Sequence, residues 1–134
     1  LEELQPFGEW RRMCIGVKGV LPKPLAIDKL QKAVMIKGQK PLRVLPFGKT
    51  TIKTVGIISG GAGGDVYQAI RDGLDAYITG EVNHDLYHYI EESGMNMIAM
   101  GHYQSETVGV SLVREKLETE KHLQTIFIDI PTGL

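Results

Sequence analysis

Residues 54–100 read TVGIISGGAGGDVYQAIRDGLDAYITGEVNHDLYHYIEESGMNMIAM, and the rhythm of this stretch decides the fold class. Three short apolar runs occur in it, TVGIIS (54–59), DAYIT (75–79) and NMIAM (96–100). Each is followed by a turn and then by a segment of helical spacing: DVYQAIRDG, HDLYHYIEESG and SETVGVSLVREKL. Continuous apolar runs separated by helices are the pattern of strands buried on both faces of a parallel sheet. Right-handed crossovers then bring the C-terminal ends of those strands to one rim. A last apolar run, TIFIDI (125–130), predicts a further strand.

Working outward toward the N-terminus, RMCIGVKGVL (12–21) predicts a strand closed by the turn-forming PKP at 22–24. AIDKLQKAVMI (26–36) predicts a helix stopped by Gly38, and LRVLPF (42–47) and IKTVGIIS (52–59) predict two strands. LEELQPFGEW (1–10) reads as the end of a helix running into a turn. A chain opening on Leu1 instead of Met suggests a piece of a longer polypeptide. The expectation is one α/β domain over residues 1–134, with a largely parallel or mixed sheet flanked by helices. Residues 1–50 form a strand-helix-strand lead-in, and residues 51–134 form a βαβαβαβ part that carries the site.

Composition narrows the function classes. With 15 Lys+Arg against 16 Asp+Glu the net charge is −1, which argues against the broad basic face that phosphate-backbone binding needs. Nucleic acid is therefore a weak candidate partner. No apolar stretch approaches the roughly 20 residues of a membrane helix. The single Cys14 sits in the apolar run MCIGV, where a small buried side chain in a reducing compartment is the simplest reading. A soluble, cytoplasmic protein is expected.

Three turns converge on the predicted rim, where open α/β sheets bind ligands. The first, SGGAGGD (59–65), has glycines that bring backbone close to a ligand, with the amides of Asp65 to Tyr67 able to receive an anion. It lacks the Lys-Ser/Thr pair of a Walker loop, and a tight turn needing positive φ explains it equally well. The second, TGEVNHD (79–85), presents Glu81 as a candidate general base or metal neighbour. His84 and His88 follow it at a spacing that can hold zinc but is common by chance. The third, GHYQSE (101–106), sets His102 at the rim with Glu106 four residues on, nitrogen and oxygen donors suited to zinc, manganese or iron. The competing reading gives Glu106 to the helix dipole and packs His102 beside Tyr103. His122 reads as a helix-end cation, REKLETEK (114–121) as a solvated helix end, and Trp10, Phe7 and Phe47 as core or interface anchors.

The succession PFGEW, IGVKGVLPKPLAIDKL, VGIISGGAGG, DAYITGEVNHD, NMIAMGHYQSE and FIDIP resembles the C-terminal half of the GTP cyclohydrolase type II homologue family, the NIF-three-like dinuclear-metal proteins. The likeness runs from Phe7 to Pro131, and the ITGE, GHY-x-x-E and FIDIP segments are its most specific parts. It implies two metal ions between two α/β halves. His102 and Glu106 would be ligands from this half, with an adjacent histidine pair and an aspartate coming from the other. Glu81 and the glycine loop would lie around the same cleft. This chain has no adjacent histidine pair, so a divalent metal is expected to be weakly held or absent in it alone.

The leading expectation is a metal-dependent, hydrolase-like protein acting on a small nucleotide-like or heterocyclic substrate. In it, His102 and Glu106 hold metal, Glu81 acts catalytically on water, and Gly60, Gly61, Gly63 and Gly64 admit an anionic group. The alternative is a non-enzymatic, metal-stabilised scaffold. The resemblance implies a homo-oligomer, a hexameric ring, in either case.

Overall fold

The computed structural model describes residues 1–36 and 38–132. Six strands form one mixed sheet in the order β1-β2-β4-β5-β6-β3. They are β1 (Glu2–Trp10), β2 (Met13–Leu25), β3 (Arg43–Pro46), β4 (Ile52–Ile57), β5 (Ala76–Thr79) and β6 (Asn96–Ala99). The three strands of the opening stretch, β4, β5 and β6, are parallel neighbours as expected, and β1, β2 and β3 join antiparallel. Among the described residues four α-helices accompany them: α1 (Ile27–Ala33), α2 (Val66–Arg71), α3 (Tyr87–Glu92) and α4 (His102–Lys121).

The alternation of side chains along the central strands builds a core on each face. Tyr77 and Met97 point to the side of Val66 and Ala69 of α2 and Ile90 of α3. Ala76, Ile78 and Ile98 point to the other, where Leu30 of α1 packs with Ile52 and Val55. Helix α4 crosses this second face loosely, burying Thr107 while most of its length is exposed. A cleft of about 580 Å³ remains beneath it, lined by Ile15, Val17, Ile36, Ile57, Val108 and Leu112 among others.

Four expectations are corrected. LEELQPFGEW is strand β1, which pairs with β2 as a hairpin, so its Phe7 enters the core while Trp10 stays half exposed. The turn is made by Arg11 and Arg12, at φ 48 and 66, with the Arg11 guanidinium 4.3 Å from the Trp10 ring. A right-twisted tight hairpin requires positive φ at its central residues, usually supplied by Asn-Gly, so nothing in the sequence announced it. Strand β2 does not stop at PKP but runs on to Leu25, with an irregular register after Val20. Cys14 is exposed, because β2 pairs with β4 only from Val17 on and the hairpin end projects past the sheet. TIFIDI forms no strand. It lies back along α4, with the Tyr103 hydroxyl donating to Asp129 (2.6 Å) and accepting from the Ile130 amide (2.8 Å). Among the described residues no helix is long and apolar enough to cross a membrane.

Candidate functional site

The parallel strands end where the sequence placed them, and backbone hydrogen bonds stitch their exits together. Met100 N donates to Thr79 O, Gly101 N to Gly80 O, and Gly80 N to Gly60 O, at 2.8 to 3.0 Å. Ser105 of α4 completes the seam, its hydroxyl donating to His102 O and accepting from Gly60 N, both at 2.9 Å. At Gly80 the approach is so close that a Cβ would fall 2.5 Å from Gly60 O and 2.9 Å from the His102 Cα. Only glycine fits.

On this frame His102, the first residue of α4, meets both candidate acids. Its Nδ1 lies 2.6 Å from Glu81 Oε1 and its Nε2 lies 3.3 Å from Glu106 Oε1. The Glu106 contact follows from the one-turn spacing on a helix; the Glu81 contact depends on β5 and β6 lying side by side. The side chains are partly open to solvent, at 40% for Glu81 and His102 and 57% for Glu106. The hydrogen bond to Glu81 chiefly raises the His102 pKa above its ordinary value, against a lowering by burial and with added help from the Glu106 charge. Metal-free, the ring is thus held as a cation between two carboxylates at pH values where a free histidine has begun to lose its proton.

The glycine loop divides. Gly60, at φ +72, lies against the pair: a Cβ there would stand 2.5 Å from Glu106 Oε1 and 3.4 Å from His102 Nε2. Gly61 faces the imidazole edge, with a built Cβ 3.3 Å from Cε1. Gly63 instead packs under the Glu81 carbonyl, and Gly64 faces open space. Asp65 accepts from the Gln68 amide at 2.6 Å, and Tyr77 OH anchors the loop through Ala62 O at 2.7 Å. His84 and His88 are both exposed and stand outside this group, His88 having Glu91 at 3.5 Å. His122 is the left-handed cap of α4. Ser105 and Gly80 are the structural members of the site that the motif reading passed over. A serine opening a helix signals only a cap, and its bond to a loop 45 residues away has no local signature.

The donor chemistry of His102 and Glu106 fits a borderline or hard divalent cation, and Gly60 sets no side chain of its own against them. Two donors fall short of the three or four protein ligands zinc takes. Among the described residues no group of three or more His, Cys, Asp or Glu is arranged to hold a metal ion. The chain therefore offers part of a coordination sphere.

Comparison with known proteins decides the kinship. Residues 1–133 match the family described as Duf34/NIF3 (NGG1p interacting factor 3). The chain belongs to this family. It is 50% identical over 110 residues to the GTP cyclohydrolase 1 type 2 homolog of Treponema pallidum, a match covering 82% of this chain and 38% of that protein. Among solved structures, protein ybgI, described as of unknown function, superposes with TM-score 0.81 at 30% identity, over 98% of this chain and 53% of that one. TTHA1606 from Thermus thermophilus gives TM-score 0.74 at 32% identity, over 100% of this chain and 52% of that one. This Duf34/NIF3 chain thus spans about half or less of the length of these relatives, and the resemblance carried by the ITGE and GHY-x-x-E turns is a true family relationship.

Proposed function

We propose that this chain supplies His102 and Glu106 to a divalent-metal site of a hydrolase-like protein, the remaining ligands coming from a second lobe of a longer polypeptide. The observation that carries the reading is the convergence of His102 and Glu106 before Gly60, at the rim where the parallel strands end. Relatives named GTP cyclohydrolase 1 type 2 homolog support a cyclohydrolase-type reaction on a nucleotide-like or heterocyclic substrate. Nothing in the residues selects GTP. Zinc, manganese or iron would suit the donors, with two ions in the complete site. When bound, such an ion supplies Lewis acidity and lowers the pKa of a water molecule toward neutrality. His102 offers Nε2 and Glu106 its carboxylate to the ion, while Gly60 and Gly61 let a substrate approach the backbone. An anionic substrate group needs the ion's charge there, because Glu81 and Glu106 repel anions from the bare loop. Gly63 would contribute by letting the Glu81 carbonyl rest against it, while Gly64 faces open space. The homo-oligomeric ring is part of the same proposal.

The test uses the intact gene product. Elemental analysis should give close to two metal ions per chain, falling sharply in His102→Ala and Glu106→Ala. The metal-loaded protein should consume a member of a purine nucleotide and heterocycle panel, followed by the change in ring absorbance. Metal content unchanged in both variants, or a loaded protein inert toward the whole panel, would refute the metal-site or hydrolase reading respectively.

A further inference from the structure

We propose that Glu81 is a positioning residue: it grips His102 by Nδ1, so that Nε2 and the Glu106 carboxylate are presented together to a divalent cation. This rests on the metal-site reading above and goes beyond it by assigning the acid at 81 a role other than base or ligand. Glu81 Oε1 is 2.6 Å from Nδ1 and Glu106 Oε1 is 3.3 Å from Nε2, so the two carboxylates lie on opposite edges of one imidazole. The lone-pair directions of the two ring nitrogens diverge, so a cation shared by Nε2 and Glu106 lies beyond the reach of a carboxylate seated at Nδ1. Glu81 Oε1 already accepts the ring proton, which leaves it poorly placed to take one from a water on the far edge. Metal-bound histidines almost always donate their second ring N–H to a carboxylate, carbonyl or water. That partner fixes the tautomer and the ring orientation, and its loss costs about 10- to 100-fold in metal affinity.

The scaffold around Glu81 is built to hold it still. Gly80 before it is locked between Gly60 O and the Gly101 amide. The Glu81 carbonyl rests on Gly63, where a Cβ would stand at 3.0 Å, and its second oxygen lies toward Gly61. The backbone of His102 is held as well, since its carbonyl accepts from the Ser105 hydroxyl. The backbone that carries Glu81 is thus held on both sides, which favours a fixed grip on Nδ1.

The experiment is a Co²⁺ titration of the intact gene product and of its Glu81→Ala, Glu81→Gln, His102→Ala and Glu106→Ala variants, followed by cobalt absorbance. Nitrogen-proton correlation spectra of the metal-free proteins report the His102 tautomer. Glu81 is a partly exposed turn residue, so folding should survive, with circular dichroism as the control. Expected are a loss of about 10- to 100-fold in Co²⁺ affinity for Glu81→Ala and partial rescue by Gln, whose amide oxygen still accepts from Nδ1–H. The ring proton should sit on Nδ1 in the parent once the ring is neutral and move toward Nε2 in the alanine variant. Unchanged affinity and tautomer in Glu81→Ala would overturn the positioning role while leaving the metal site standing. A loss as large as that of His102→Ala, without rescue by Gln, would make Glu81 a ligand. If His102→Ala and Glu106→Ala bind Co²⁺ like the parent, it is the metal-site reading that fails, and the tautomer alone then decides the role of Glu81.

Discussion

At the level of single residues, the site depends on what is missing from Gly60. A side chain there would meet the Glu106 carboxylate, and φ +72 is costly for any residue bearing a Cβ. Gly60→Ala is expected to destabilise the fold by about 1 kcal/mol and to weaken cation binding by displacing Glu106. Gly64→Ala, in open space at an ordinary φ, should change neither. Thermal melts and metal titrations of the two variants check the pair. The sequence marked both positions alike, as members of one glycine-rich turn, since spacing carries no information on which glycine faces which element. His102 and Glu106 were legible because one helical turn joins them. That Glu81 shares their rim followed from the converging strand ends; its direct bond to the ring did not, because a contact across 21 residues depends on how closely β5 and β6 bring the two turns together.

Among the elements, the ends of the central strands opposite the site are tied together by Asp75. Its carboxylate accepts from the Lys53 and Thr54 amides at 2.9 and 3.0 Å and from Lys49 Nζ at 2.6 Å. Burial alone would raise its pKa, but Lys49 and the amide donors outweigh it and bring it from 3.8 to about 2. The folded chain therefore binds less proton than the unfolded chain between these values. Asp75 contributes about 2 kcal/mol that is fully present above pH 4 and is lost as the pH falls through about 2. Denaturant melts should show this acid-side loss in the parent, and Asp75→Asn should be less stable at neutral pH with a flatter profile between pH 4 and 2. The parallel elements were legible from their apolar runs. The β1-β2 hairpin was hidden by helix-favouring Glu and Leu at its start and by an Arg-Arg turn that carries no hairpin signature. TIFIDI has strand composition but is not a strand among the described residues and lies back along α4 instead, a placement that composition cannot foretell.

For the whole molecule, the polar site sits beside an apolar surface. Ile126, Ile128 and Ile130 are 84%, 74% and 70% exposed, and α4 adds Val110, Leu112 and Val113. Exposed apolar area of this extent marks an interaction surface or an aggregation hazard. The chain by itself is expected to self-associate as its concentration rises. Replacing the three isoleucines by lysine should suppress this in light scattering while leaving the melting temperature almost unchanged. The sheet order carries a different consequence. Strand β3 is laid down in the sequence before β4, yet among the described residues its only strand neighbour is β6, about fifty residues downstream. During synthesis β3 stays unpaired until β4, β5 and β6 have all emerged. The β3-β6 seam, which joins the strands farthest apart in sequence, is thus among the last pairings the sheet can complete.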